Sequence, residues 1–366
     1  MSMAPNLIAD SENRAALPRK MRAGVYRGAG CVATESVPVP EIGEGEVLIR
    51  VAACGICGTD LKKILHGFVA PPQIFGHEVA GTVAAVGRGV HRWKEGERVV
   101  SFHHVPCGAC FYCDRRLFSQ CPAYKKVGLT AGFEPNGGGF AEYVRAMPWI
   151  VERGMIRIPR DVSFEDATFV EPVNTCLKAV EKARIEAGEN VLVIGQGPIG
   201  LLLLLLARKA GATVFAADPM AERREVSERL GASATFDPLA CSVSEEVRKL
   251  TGGRGADAVL VAVPAPAAVP QALAAARPGG RVLLFAQNDP HMKIEFSAAD
   301  IGVEEKEILG SYSAAWDRQE ESANLVFSRA LPVSTLITHR FSLEEFGAAL
   351  SLAARPNNSL KILVIP

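Results

Sequence analysis

The run Val191-Leu-Val-Ile-Gly195-Gln-Gly-Pro-Ile-Gly200, followed by six leucines from 201 to 206, constrains the fold more than any other stretch. Crossing a membrane takes about 20 uninterrupted apolar residues. Here the glycines interrupt the run, and Arg208-Lys209 end it. The segment therefore reads as a strand buried on both faces, a tight turn and a helix packed on all sides. Similar β-rich runs follow at 214–217, 257–263 and 281–285, with helical patterns between them at 221–230 and 244–251 that stop at Gly231 and Gly252. Strand–helix alternation of this kind predicts a parallel sheet with crossover helices.

The turn has a chemistry of its own. Gly195 permits the tight bend, Gly197 lets a pyrophosphate approach the backbone, and Gly200 lets helix and strand pack closely. Pro198 and Ile199 open the helix, whose first N–H groups face the phosphates. Asp218 ends the next strand pattern, 18 residues after Gly200, where a carboxylate accepts from the adenosine ribose hydroxyls. It also stands where it would cap the helix beginning near residue 221, and the two roles are compatible. A carboxylate here repels a 2′-phosphate, so NAD is expected over NADP, with Arg223 and Arg224 nearby as the opposing signal.

Residues 22–102 have a different texture, with short β-branched runs between glycine turns, as in an all-β unit. A length of 366 residues suits about two such domains. Lys plus Arg and Asp plus Glu both total 40, so the formal charge is zero and nothing points to nucleic acid or an anionic membrane. The last segment, from residue 312, holds two helical patterns and a final strand at 361–365, which is expected to return to the first unit for a pairing partner. Residues 1–20 read as a polar extension with no secretory signal, which suggests a cytoplasmic protein.

Nine cysteines are too many to ignore and odd in number, so they do not form a complete disulfide framework. Cys107, Cys110, Cys113 and Cys121 fall at spacings that suit a closed tetrahedral zinc, structural because four thiolates leave no open position. Upstream, Cys54 or Cys57 with Thr59, Asp60, His77 and Glu78 offers thiolate, imidazole and carboxylate. Such a set can hold zinc and keep one position open. Alone, His77 would be a hydrogen-bonded core histidine and the thiols inert packing.

Taken in order along the chain, Gly76-His77-Glu78 with its glycine-rich continuation to Gly87, the four-cysteine lobe and the dinucleotide turn resemble the zinc-dependent medium-chain dehydrogenases. The sorbitol and threonine dehydrogenase branches are the most similar. The resemblance implies an α/β chain with two parts. One is a Rossmann doubly wound parallel-sheet coenzyme domain at 175–309, and the other a GroES-like mainly-β catalytic domain at 21–174 and 310–366 with its zinc lobe at 103–125. It selects Cys57 over Cys54, because Cys57 directly precedes Gly58-Thr59-Asp60. It also makes His77 a ligand, places Glu171 of Glu171-Pro172 third, and leaves Glu78 beside the metal, exchanging with water.

The same resemblance implies two zinc ions per chain, NAD, and a homodimer or homotetramer. A secondary alcohol of the polyol or sugar-derived class would pass hydride to NAD, with Thr59 starting a proton relay and Asp60 fixing His77. His104 and Phe102, with His103, are the expected pocket residues. Two positions depart from the relatives. Lys62 stands where related enzymes often carry a relay histidine, and Gly310–Trp316 lacks the arginine that grips polyols in sorbitol dehydrogenases. Threonine 3-dehydrogenase or another hydroxy-acid or diol dehydrogenase is the nearest alternative, and a non-catalytic NAD-binding protein the more distant one. Cys31, Cys54, Cys176 and Cys241 are left as unpaired thiols.

Overall fold

The structure is a computed structural model that describes residues 17–286, 293–355 and 359–366. Most of the expected N-terminal extension, residues 1–16, lies outside the described residues.

Six parallel strands form one sheet in the order Ala234–Phe236, Thr213–Ala217, Asn190–Ile194, Ala256–Val261, Ala276–Leu284 and Glu307–Gly310. This is the doubly wound order in which the first strand sits at the centre, and the crevice beside its carboxyl end is where such sheets bind ligands. Val191, Leu192 and Val193 are fully buried, as expected of a strand covered on both faces. The leucines follow suit, because the helix Pro198–Lys209 packs between the sheet and the helix Val170–Lys182, and all six are buried. The short outer strands Ala234–Phe236 and Glu307–Gly310 had no signal in the apolar pattern, since edge strands carry fewer buried side chains.

The second body is β-rich. Its eight-stranded sheet has as its main path Ile337–Ser342, Lys361–Ile365, Val47–Gly55, Glu78–Val86, Arg98–Ser101 and Met155–Arg157. The final strand does return, pairing Leu363 with Gly55 and Val364 with Cys54. A three-stranded sheet of Cys31–Pro38, Lys20–Gly28 and Gln73–Ile74 lies beside it. The boundary expected at 174/175 falls inside the helix Val170–Lys182, whose sides are buried along most of its length. That helix belongs to the core it shares with the leucine helix, and its first turn points Glu171 towards the β-rich body.

Candidate active site and metal centres

Cys57 caps the helix Gly58–His66, its sulfur accepting from the Thr59 N–H at 3.5 Å. Asp60, at the third helical position, returns the favour by accepting from the Cys57 N–H at 3.1 Å. The sequence Cys-Gly-Thr-Asp is thus a capping box in which a thiol replaces the usual hydroxyl. Asp60 is fully buried and also accepts from the Gly76 N–H at 3.3 Å and from His77 Nδ1 at 3.1 Å. Burial alone would raise its pKa. The His77 charge and hydrogen bond, with Lys63 and the Cys57 amide, outweigh burial and hold it below the usual carboxylate range. With Nδ1 donating to Asp60, His77 turns Nε2 to the cavity, and that nitrogen has the lone pair a metal needs once it gives up its own proton.

Cys57, His77 and Glu78 each offer a ligand atom, and these atoms lie within 4.8 Å of one another. Glu78 is already paired, however. Lys361 Nζ donates to its two oxygens at 2.7 and 2.6 Å, both side chains being buried. Gly55 makes this pair possible, because a Cβ there would stand 1.8 Å from Glu78 Oε2. Glu171 lines the same cavity but is not in that three-residue cluster; its Oε1 stands 3.8 Å from His103 Nδ1. Burial, reinforced by Glu78 and Asp60 and opposed by His77 and Lys361, pushes the Glu171 carboxyl up to about 7. It is a buried acid without a cation, which is the environment a divalent ion would complete.

The four cysteines of the lobe converge on one point. All four sulfurs lie within 4.8 Å of one another, with Cys107 to Cys113 at 3.9 Å and Cys110 to Cys113 at 3.5 Å. Thiolates bound at 2.3 Å around a tetrahedron stand about 3.8 Å apart, so the donor set fits zinc. All nine cysteines are outside any disulfide.

A cavity of about 590 Å³ opens above Cys57 and is closed on its far side by Ile199, Ala262 and Phe285 of the parallel-sheet body. Thr59, Lys62, His77, Glu78, Glu171 and His104 all reach it, as does His103. Phe102 does not, and its expected place in the pocket is corrected. It packs in the core with Ala80, Val100 and Phe169, whereas His103 and His104, which follow the strand Arg98–Ser101, both line the cavity. His103 and His104 meet at a tilt of 52° with ring centroids 4.4 Å apart. Burial, helped by Lys63, lowers the His104 pKa to about 3, so it is neutral at physiological pH.

At the dinucleotide turn, a Cβ on Gly200 would lie 1.8 Å from the Gly195 carbonyl oxygen, so no other residue fits. Around Gly197 only Arg223 Nη1, at 3.9 Å, would meet an added Cβ, which leaves the approach needed for a pyrophosphate. Asp218 is buried, and its oxygens accept from the N–H groups of Gln196 at 2.7 Å and Met220 at 2.9 Å. Arg223 Nη1 is 4.0 Å from it. Arg224 is turned towards Asp237 at 3.4 Å.

Residues 43–159 match the alcohol dehydrogenase GroES-like domain, and residues 198–328 match the zinc-binding dehydrogenase domain. The chain belongs to the zinc-dependent medium-chain dehydrogenases. It is 31% identical to the sorbitol dehydrogenase of Bacillus subtilis (strain 168) over 360 residues, 96% of this chain and 98% of that one. It is 34% identical to the L-threonine 3-dehydrogenase of Pyrococcus abyssi over 313 residues, 83% and 86% of the two chains. The zinc-binding dehydrogenase structure from Sinorhizobium meliloti 1021 bound to NADP superposes with a TM-score of 0.86 at 32% identity, covering 95% of this chain and 99% of that one. Membership makes this protein an oxidoreductase that uses zinc and a nicotinamide dinucleotide. Among the described residues no helix is long and apolar enough to cross a membrane.

Lys63, Lys125, Tyr312 and Lys361 went unnoticed in the sequence, although each lies in or against the site. Lys361 did carry a signal, as a lysine opening an otherwise apolar strand, Lys361–Ile365.

Proposed function

We propose that this dehydrogenase oxidises a secondary hydroxyl of a polyol or sugar-derived alcohol to a ketone, with NAD as hydride acceptor and one proton released. The observation that carries this reading is one cavity bounded by Cys57, His77 and Glu171 on one side and by the dinucleotide turn's Ile199 on the other.

Cys57, His77 and Glu171 would hold the catalytic zinc, Glu78 being neutralised by Lys361 and so a poorer donor unless that pair opens. When bound, zinc polarises the substrate hydroxyl and lowers its pKa, and NAD takes up the hydride. Asp60 holds His77 in the tautomer that donates away from the metal. Thr59 accepts the hydroxyl proton as its own hydroxyl hydrogen passes on towards solvent, along the cavity wall that Lys62 also lines. The apolar Ile199, Ala262 and Phe285 keep water from the hydride path. Cys107, Cys110, Cys113 and Cys121 would hold the second, structural zinc.

Gly195, Gly197, Pro198, Ile199 and Gly200 would receive the pyrophosphate and nicotinamide side of NAD, and Asp218 with Arg223 the adenosine ribose. NAD is preferred to NADP in this reading because Asp218 adds negative charge where a 2′-phosphate would sit. Units at 21–174 with 310–366 and at 175–309, a homodimer or homotetramer, and a cytoplasmic location belong to the same proposal; the last two rest on the family alone. A hydroxyamino acid is the competing substrate class, but no arginine among the described residues lines the cavity to grip a carboxylate.

A panel of polyols, 2,3-diols and hydroxyamino acids offered with NAD tests the assignment. Polyols are expected to give NADH, and Cys57→Ser or His77→Ala to abolish it while NADH still binds. Full activity in either variant would sink the metal assignment.

A further inference from the structure

The cavity carries more positive charge than the chemistry above consumes. Lys62 and Lys63 come from the helix Gly58–His66 and Lys125 from the stretch after the cysteine lobe, and all three line it. Among the described residues none of their ammonium groups has a carboxylate or a hydrogen-bond acceptor as partner. Lys125 stands over the Tyr312 ring at 5.2 Å and Lys63 over the Phe75 ring at 5.4 Å, contacts that orient a cation without neutralising it. Burial lowers the pKa of Lys63; the Asp60 carboxylate offsets part of this, and the Lys125 charge lowers it further. The two lysines therefore feel each other across the cavity.

The anions in the cavity are otherwise engaged. Glu78 is matched by Lys361, and Cys57 and Glu171 face the metal position. Among the described residues, the exposed Glu134 is the one further carboxylate that stands with the lysines at the cavity wall. Three ammonium groups against one carboxylate leave a surplus of two positive charges there, a poor match for a neutral polyol.

We infer that the substrate is a phosphorylated alcohol, a polyol phosphate monoester whose phosphate is held by Lys63 and Lys125, in the field of Lys62, while its secondary hydroxyl lies at Cys57 and His77. This rests on the alcohol oxidation proposed above and narrows its substrate. A phosphate monoester carries about −1.5 to −2 charges at neutral pH, which matches the surplus. Lysine binds phosphate as a point charge, whereas a carboxylate is better gripped by the planar fork of arginine, which the described cavity wall lacks. The ester itself is not cleaved; only its neighbouring alcohol is oxidised.

The test compares NADH formation by the zinc-loaded protein from ribitol and ribitol 5-phosphate, from sorbitol and sorbitol 6-phosphate, and from gluconate. The phosphate esters are expected to exceed their parent alcohols in kcat/KM by at least about tenfold, an advantage that shrinks as salt screens the attraction. Lys125→Met, at an exposed position, is expected to cut that ester-to-parent ratio about fivefold or more, and Lys125→Arg to keep it. Lys63→Met should lower the ratio in the same direction. Parent alcohols used as well as their esters, a ratio indifferent to Lys125→Met, or gluconate preferred to both esters would each overturn the phosphate assignment while leaving alcohol oxidation standing. Failure of every alcohol, esterified or not, would contradict the reaction itself and the phosphate with it.

Discussion

At the level of single residues, two buried pairs frame the site, Asp60 with His77 and Glu78 with Lys361. Glu78 and Lys361 show what such a pair contributes. Burial lowers the lysine pKa, but the Glu78 carboxylate, with Cys57 and Glu171, outweighs it and raises the ammonium above its ordinary value. Removing one partner of a buried pair leaves an uncompensated charge and costs about 3–5 kcal/mol, whereas removing both is often close to neutral. Lys361→Met is therefore expected to destabilise the protein by that amount in denaturant unfolding, and Glu78→Gln with Lys361→Met to recover most of it. If the double variant is as unstable as the sum of the two single ones, the pair is not coupled as described. The pair was illegible in the sequence because it joins residues 283 positions apart through the register of Gly55 with Glu78 and Leu363. Asp60 with His77 was legible only through the family resemblance; in the structure Cys57-Gly-Thr-Asp60 is a helix cap that places the carboxylate beside a neighbouring loop.

Among elements, the dinucleotide turn gave the clearest signal, because each glycine answers to a steric need. With Gly195 at φ +92° and a Cβ at Gly200 placed 1.8 Å from the Gly195 carbonyl oxygen, strand and helix can meet only if both side chains are absent. Gly200→Ala is expected to abolish NADH binding, measured by fluorescence titration, while zinc in the cysteine lobe is retained. Unchanged NADH affinity would show that the turn does not form the cofactor site. The cysteine lobe was equally plain, since four sulfurs in one short loop can meet without help from the rest of the chain. Phe102 and His103 were harder. Which of the residues following a strand faces a cavity depends on that strand's register with distant strands.

Over the whole molecule, two bodies of different texture were readable from apolar periodicity: continuous runs for a sheet covered on both faces, and short runs between turns for the other. The meeting of the two was not readable, because Cys57 and His77 share a cavity with Ile199, Ala262 and Phe285 only when both bodies are packed. The central claim is that this meeting place holds a second zinc besides the one in the cysteine lobe. Zinc content per chain, measured on the purified wild type and on His77→Ala, tests it most directly. About two zinc ions per chain in the wild type and about one in His77→Ala are predicted, turnover vanishing with the lost ion. One zinc in both proteins, with turnover intact, would contradict the account.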